Sequence, residues 1–298
     1  MPGDRGVAGA PAVAAPWQRA AGQSLVSLLN LAPGQIAARH CVWHLGRLSA
    51  ASPNLDAAAW LLADEMMRGR CGAARRTYDL WHARATGGLP LSPVEREMVE
   101  QFVEPSIGLP GHEKSRDHLE GAVAEYIWYL VARDRVEPHR VMRHLEKPSL
   151  LASEPGGDGL AIYERVADGS LAFRLWEVKK HTGSGDVSGV ITRACTQLAA
   201  RGKKYFAKYA SQGELLPDAD LVDLYGELGE RWIRSHESAG AGVAVAISEA
   251  RAPRRAFSQM HRHLPQLRNG DQLEGLIAAV GDFATFALRV REFLWSGL

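Results

Sequence analysis

The sequence predicts an α/β protein, a small mixed sheet with helices packed on it from residue 111 to residue 298, preceded by a helical N-terminal module over 22–110. Three observations carry this. From Arg116 onward, helix-periodic and β-rich segments alternate. Asp168-Gly169 stands between two β-rich runs, a strong short hairpin signal. Residues 22–104 divide into short amphipathic stretches separated by Pro and Gly. With 298 residues, 46% of them hydrophobic, the chain can bury one substantial core and a smaller second one.

Taken in order, residues 1–21 are rich in Ala, Pro and Gly with a single aromatic, Trp17, and read as a disordered leader without the apolar run of a secretory signal. The segments "SLVSLLNL", "GQIAARHCVWHLGRL", "LDAAAWLLADEMMR", "AARRTYDLWHARA" and "SPVEREMVEQFV" read as helices. Leu55, Ala58, Ala59, Leu62 and Met66 make the clearest apolar face. "GGLP" and "GLPG" set the borders. Arg116 to Arg133 is an amphipathic helix in which Glu120 lies within about 20° of Ile127, at the edge of the apolar stripe, while Glu125 points away. A first strand is expected within 139–153. Leu160–Val166 and Leu171–Lys180 then form the hairpin, and Val187–Ala210 a second amphipathic helix. Residues 240–248 read as a buried strand, and "QLEGLIAAVGDFATFALRVREFLW" as one long closing helix.

Cys41, Cys71 and Cys195 are odd in number and widely spaced, which argues against a disulfide framework and for a reducing, cytoplasmic setting. No run reaches the roughly 20 apolar residues of a membrane span, since Asp282 interrupts Leu273 to Leu288. The net charge of +1 conceals a segregation. Arg174 to Lys208 holds eight Lys or Arg against two acids, and Ser211 to Ala250 eight acids against two Arg.

The stretch "LWEVKK" ends an apolar strand in charge. A two-residue loop at Asp168-Gly169 pairs Ala167 with Ser170, setting Asp158 opposite Lys179 and diagonal to Glu177, with Cβ atoms on the order of 5 to 8 Å apart. Alternation puts Glu177 and Lys179 on the side of Leu171, Phe173 and Leu175, and the other side is also apolar, so the strand is central. Lys179 can neutralise only one carboxylate. With Glu120 added, the pocket is net negative and suits a hard divalent cation, Mg²⁺ with Mn²⁺ as substitute. Downstream, Arg193, Gln197, Arg201, Lys204 and Lys208 make a polar stripe beside the apolar Val190, Ala194, Leu198 and Tyr205. With Lys180 at the strand end, these side chains are candidates for contacting nucleic-acid phosphates.

Asp158, the Glu177-Val178-Lys179 triplet nineteen residues on, Glu120 upstream and Gln197 downstream resemble the PD-(D/E)XK nuclease superfamily, the restriction-endonuclease-like proteins, over about residues 112–250. The resemblance implies an αβββαβ core with Asp158, Glu177 and the Val178 carbonyl on the metal, assisted by Glu120, and Lys179 orienting or activating the attacking water. Some members carry Tyr four residues after the helix Gln, where this chain has Arg201. The implied activity is Mg²⁺-dependent phosphodiester hydrolysis, on DNA, leaving 5′-phosphates. A bacterial restriction or antiviral defence system is the expected setting; one form of this expectation adds a helicase or sensor subunit as partner, with the helices of residues 22–104 as docking surface or lid. The alternative is a catalytically silent nuclease fold that binds nucleic acid or assembles with a partner. His40 and His44 lack a second ligand pair for zinc. "GSGDVSG" lacks the Lys-Ser/Thr end of a phosphate loop and reads as a turn into an Asp186 cap.

Overall fold

The computed structural model describes residues 14–34, 41–148, 158–213, 216 and 218–298. In chain order its elements are α1 (Pro16–Ala20), α2 (Leu25–Leu28), β1 (Ala32–Pro33), β2 (Val42–Leu48), α3 (Leu55–Cys71), α4 (Arg75–Ala85), α5 (Pro93–Ile107), β3 (Gly108–Leu109), β4 (His112–Glu113), α6 (Arg116–Asp134) and β5 (Arg140–Leu145). There follow β6 (Gly159–Arg165), β7 (Leu171–His181), α7 (Val187–Gly213), α8 (Ala219–Ile233), β8 (Ala239–Ile247), α9 (Met260–His263), β9 (Leu273–Val280) and α10 (Phe283–Ser296).

Seven strands make one mixed sheet in the order β1-β2-β9-β8-β7-β6-β5. The pairs β2–β9, β9–β8 and β8–β7 are parallel, and the pairs β1–β2, β7–β6 and β6–β5 are antiparallel. β3 and β4 form a separate ribbon. Every residue of β8 and β9 is buried, which is why both read as continuous apolar runs rather than alternating ones. One face of the sheet is covered by α1 to α6 and α10, the other by α7, α8 and α9. α6 starts where the Ser115 hydroxyl accepts the His118 N–H at 3.2 Å. Its Trp128 packs 5.7 Å from Trp176 of β7, in space that Gly159 leaves open; a Cβ there would lie 1.9 Å from the indole.

The structure departs from the sequence expectations at four places. Residues 42–48, expected in a helix, form β2 parallel to β9, because the sheet supplies ladder partners that outweigh local helix preference. The closing segment is a strand followed by a helix: β9 ends at Val280, Gly281 follows with φ of 25°, and Asp282 caps α10 by accepting the Thr285 N–H at 2.8 Å. Of the expected leader, residues 1–13 lie outside the described residues, but 16–20 form α1, anchored by Trp17 against Trp60 with ring centroids 5.9 Å apart. The hairpin loop has four residues, Val166 to Gly169: the Arg165 N–H bonds the Ser170 carbonyl, and Leu160 pairs with Leu175. Only Gly169 of the central pair has positive φ, so the two-residue type I′ turn, which needs it at both positions, does not form. α8 had no counterpart in the sequence reading. The first strand of the domain is β5, within the expected 139–153.

Among the described residues no helix is long and apolar enough to cross a membrane. Cys41, Cys71 and Cys195 are free and buried.

Candidate active site

β7 outruns β6. Gly159, the first residue of β6, pairs with Trp176, whereas β7 continues to His181 with β8 alongside it throughout. Glu177 to His181 therefore have β8 on one side only. Into the other side comes Asp158, whose carboxylate accepts the Val178 N–H at 2.6 Å, extending the ladder by a side chain. The N–H and C=O of one strand residue point the same way, so the Val178 carbonyl faces the side that holds Asp158.

The four-residue loop shifts the register by two residues, which keeps every side chain on its expected face and moves Asp158 from a diagonal position to one directly across from Glu177. The charge of Asp158 acts directly on Glu177. Glu177 is wholly buried; its Oε1 receives the Lys179 ammonium, and its Oε2 has no hydrogen-bond partner. Burial, then the Asp158 charge, pushes Glu177 up to about 7. Burial likewise raises Asp158, against the opposing pull of Lys179 and the Val178 N–H. Burial alone would lower Lys179, but Glu177 and Asp158 outweigh it and hold the ammonium above its ordinary value. This is a carboxyl pair whose ionisation burial and like charge oppose and a further positive charge would favour.

A third carboxylate faces this group from α6, and it is Glu125. Half-buried, it is pushed up to about 8 by burial first and then by Asp158, with Lys179 opposing and Glu177 adding. Sequence reasoning missed it because the helical wheel identifies the side of α6 that meets the core, not the point where the helix passes the end of β6. The usable signal is Trp128, an i+3 neighbour of Glu125 that packs at Gly159, next to Asp158.

Glu120 takes partners other than the Asp158–Glu177 pair. It is buried in an ion-pair group with Arg116 at 2.9 Å and Lys180 at 2.6 Å, with the Thr182 hydroxyl at 3.5 Å. Lys180 also reaches Asp117 at 2.8 Å, so the strand-end cation proposed for nucleic acid is tied to α6. Alternation is the physical reason: Lys179 projects to the α7 face and Lys180 to the α6 face.

The Gln197 amide donates to the Tyr205 hydroxyl at 3.3 Å, and that buried hydroxyl feels the Glu177 and Asp158 charges. The tyrosine partner of Gln197 thus stands eight residues downstream, not four. α7 contains no acidic residue. Its Arg193, Arg201, Lys203 and Lys204 are exposed and make no ion pair among the described residues. Asp186 accepts the Ser188 N–H and hydroxyl at the start of this helix. His40 lies outside the described residues, and His44 Nδ1 accepts from Arg135 at 3.0 Å.

For a hard cation, the donor set is Asp158, the orphaned Glu177 Oε2 and the Val178 carbonyl, all oxygen, inside an excess of negative charge. Among the described residues no group of three or more Asp, Glu, His or Cys side chains is placed to hold a metal ion. No protein-family model matches this chain, and no curated protein matches it at a significant level.

Proposed function

We propose that the chain is a metal-dependent nuclease that hydrolyses phosphodiester bonds of nucleic acid, DNA in particular, on a restriction-endonuclease-like core. The observation that carries this reading is the pairing of Asp158 with Glu177 beside Lys179, at the point where β7 runs past β6. The succession α6, β5, β6, β7, α7, β8, three antiparallel strands followed by a parallel one, supports the αβββαβ expectation.

In this reading Asp158, Glu177 and the Val178 carbonyl hold the cation, and Glu125 takes the helix position first assigned to Glu120. A bound Mg²⁺, or Mn²⁺ in its place, supplies Lewis acidity toward a phosphate oxygen. Lys179, held charged by the two carboxylates, places an ammonium beside the attacked phosphorus and offsets the charge that grows in the transition state. Glu177 fixes that ammonium from a fully buried position, so its geometry is set before substrate arrives. Arg193, Arg201 and Lys204 offer exposed cations to the flanking phosphates, an affinity that falls with salt. Gln197 is tied to Tyr205 of the same helix rather than free to meet phosphate.

The test is cleavage of linear, circular and single-stranded DNA with and without Mg²⁺ or Mn²⁺, by wild type beside Glu177→Ala and Lys179→Met. Metal-dependent cleavage reduced at least about a hundredfold in both variants is expected. Equal cleavage by all three proteins overturns the reading.

A further inference from the structure

A second charged site lies toward the other end of β7. A cavity of about 40 Å³ opens there, lined among others by Arg140, Tyr163, Arg165, Arg174, Ser238 and Gln272. Behind it, Glu274 of β9 takes the guanidinium groups of Arg135, Arg140 (2.7 Å) and Arg174, while Glu137 bridges Arg135 (2.6 Å) and Arg140. Three guanidinium groups therefore face two carboxylates. Arg140 is 9% exposed, Arg174 6% and Glu274 1%, so the surplus positive charge is out of water. His44 contributes an acceptor nitrogen to Arg135 and no charge to offset. At the rim Arg165 is matched by Glu237 at 3.6 Å, and Asp271 is exposed, offering Arg174 its backbone carbonyl.

The donors are unbalanced as well. The described hydrogen bonds of Arg140 run through Nη2, and its Nε is buried without a partner. Its Cζ lies 4.1 Å from the Tyr163 ring centroid, which fixes the guanidinium plane. Burial holds Arg174 below its ordinary value, opposed first by Glu274. A water molecule can accept an N–H but leaves the charge unbalanced, and an unpaired buried charge is costly.

We infer that this cavity binds one small inorganic anion, between chloride and phosphate in size, on Arg140 and Arg174. A water needs about 10–15 Å³ of such volume, so the space admits an ion with little solvent and excludes a nucleotide. The inference is independent of the nuclease reading, since it uses none of that site's residues.

Thermal unfolding of the full chain in sodium gluconate at constant ionic strength, titrated with chloride or with inorganic phosphate, tests it. A saturable rise of about 5 °C at a hundredfold excess over Kd is expected for one of the two anions. In Arg140→Lys, which keeps the charge but removes Nε, the half-effect concentration rises at least tenfold. Should that variant fail to fold, bromide-soaked crystals of wild type decide: an anomalous peak within hydrogen-bond distance of Arg140 and Arg174 supports the site. A cavity holding only water after separate saturating bromide and phosphate soaks, or unsaturating rises of equal size with both anions, overturns it.

Discussion

Glu177 combines two properties that a purely structural carboxylate lacks: no exposure at all, and an oxygen with nothing to accept from. Its raised pKa has a defined thermodynamic sign. Between the ordinary value of 4.5 and about 7, the folded protein holds a proton that the unfolded chain has released, so this group's stabilising contribution is present at low pH and is lost as pH rises through about 7. In the proposed reading a divalent cation would offset that loss by taking the proton's place. The melting temperature without metal should therefore fall from pH 6 to pH 8, and added Mg²⁺ should raise it more at pH 8 than at pH 6; an equal rise at both would remove the carboxyl pair as the binding site. Glu177→Gln should raise metal-free stability at pH 8 by about 1 to 2 kcal/mol while removing cleavage, since it deletes a buried like-charge contact. The two helix carboxylates separate cleanly. Glu125→Gln should lower cleavage by about tenfold or more with little change in stability. Glu120→Gln should leave cleavage intact and cost stability, because Lys180 and Arg116 lose their partner. Urea unfolding and cleavage rates measured on both variants assign the roles, and the reverse pattern would restore Glu120 to the site.

Elements were legible wherever one period dominated. The faces of β7 could be read because Leu171, Phe173 and Leu175 alternate with Ala172, Trp176 and Val178, and a two-residue slip of the hairpin leaves faces unchanged. The loop itself was not legible: Asp168 bonds Ser170 at 3.0 Å instead of entering a type I′ turn, a choice between local conformers that the dipeptide does not make. β9 and β2 were misread for one shared reason. They pair with each other, and a short apolar run has no period of its own to distinguish strand from helix until its partner is known. Glycines mark where these strands meet bulky rings. A Cβ on Gly242 of β8 would lie 2.2 Å from the Trp176 indole, and one on Gly275 of β9 2.3 Å from the Phe257 ring. Gly242→Ala should thus destabilise by about 3 kcal/mol and reduce cleavage by displacing the strand that carries Glu177. Gly121→Ala, helical and with open space around it, should instead stabilise by about 0.5 to 1 kcal/mol. Chemical denaturation of both variants checks the pair; a neutral Gly242→Ala would mean that Trp176 is free to move.

At the scale of the molecule, the N-terminal helices and the domain that carries the site are built around the same apolar layer. α3 packs on α10 and α6, and its Trp60 stacks on Trp81 of α4 at 5.7 Å and meets Phe293 of α10 edge-on at 5.7 Å. Arg289 of α10 binds Asp56 of α3 at 3.0 Å, and β2 runs along β9 for seven paired residues. A chain cut at residue 110 would strip the partners from Phe286, Val290, Phe293 and Leu294 and expose the β9 edge to solvent. Burying each such side chain stabilises by about 1.5 to 3 kcal/mol, so losing these four removes about 6 to 12 kcal/mol, comparable with the whole of the roughly 5 to 15 kcal/mol by which a domain is ordinarily folded. Residues 111–298 expressed alone should therefore show no cooperative thermal transition, and the full chain should melt in one step by both calorimetry and far-UV circular dichroism. The consequence for function is direct: the helices of residues 22–110 hold up the α6 face, where Glu125 approaches the carboxyl pair, so their loss should abolish cleavage through unfolding. A fragment 111–298 that melts cooperatively would show instead that the sheet and α6 position Asp158, Glu177 and Glu125 without them.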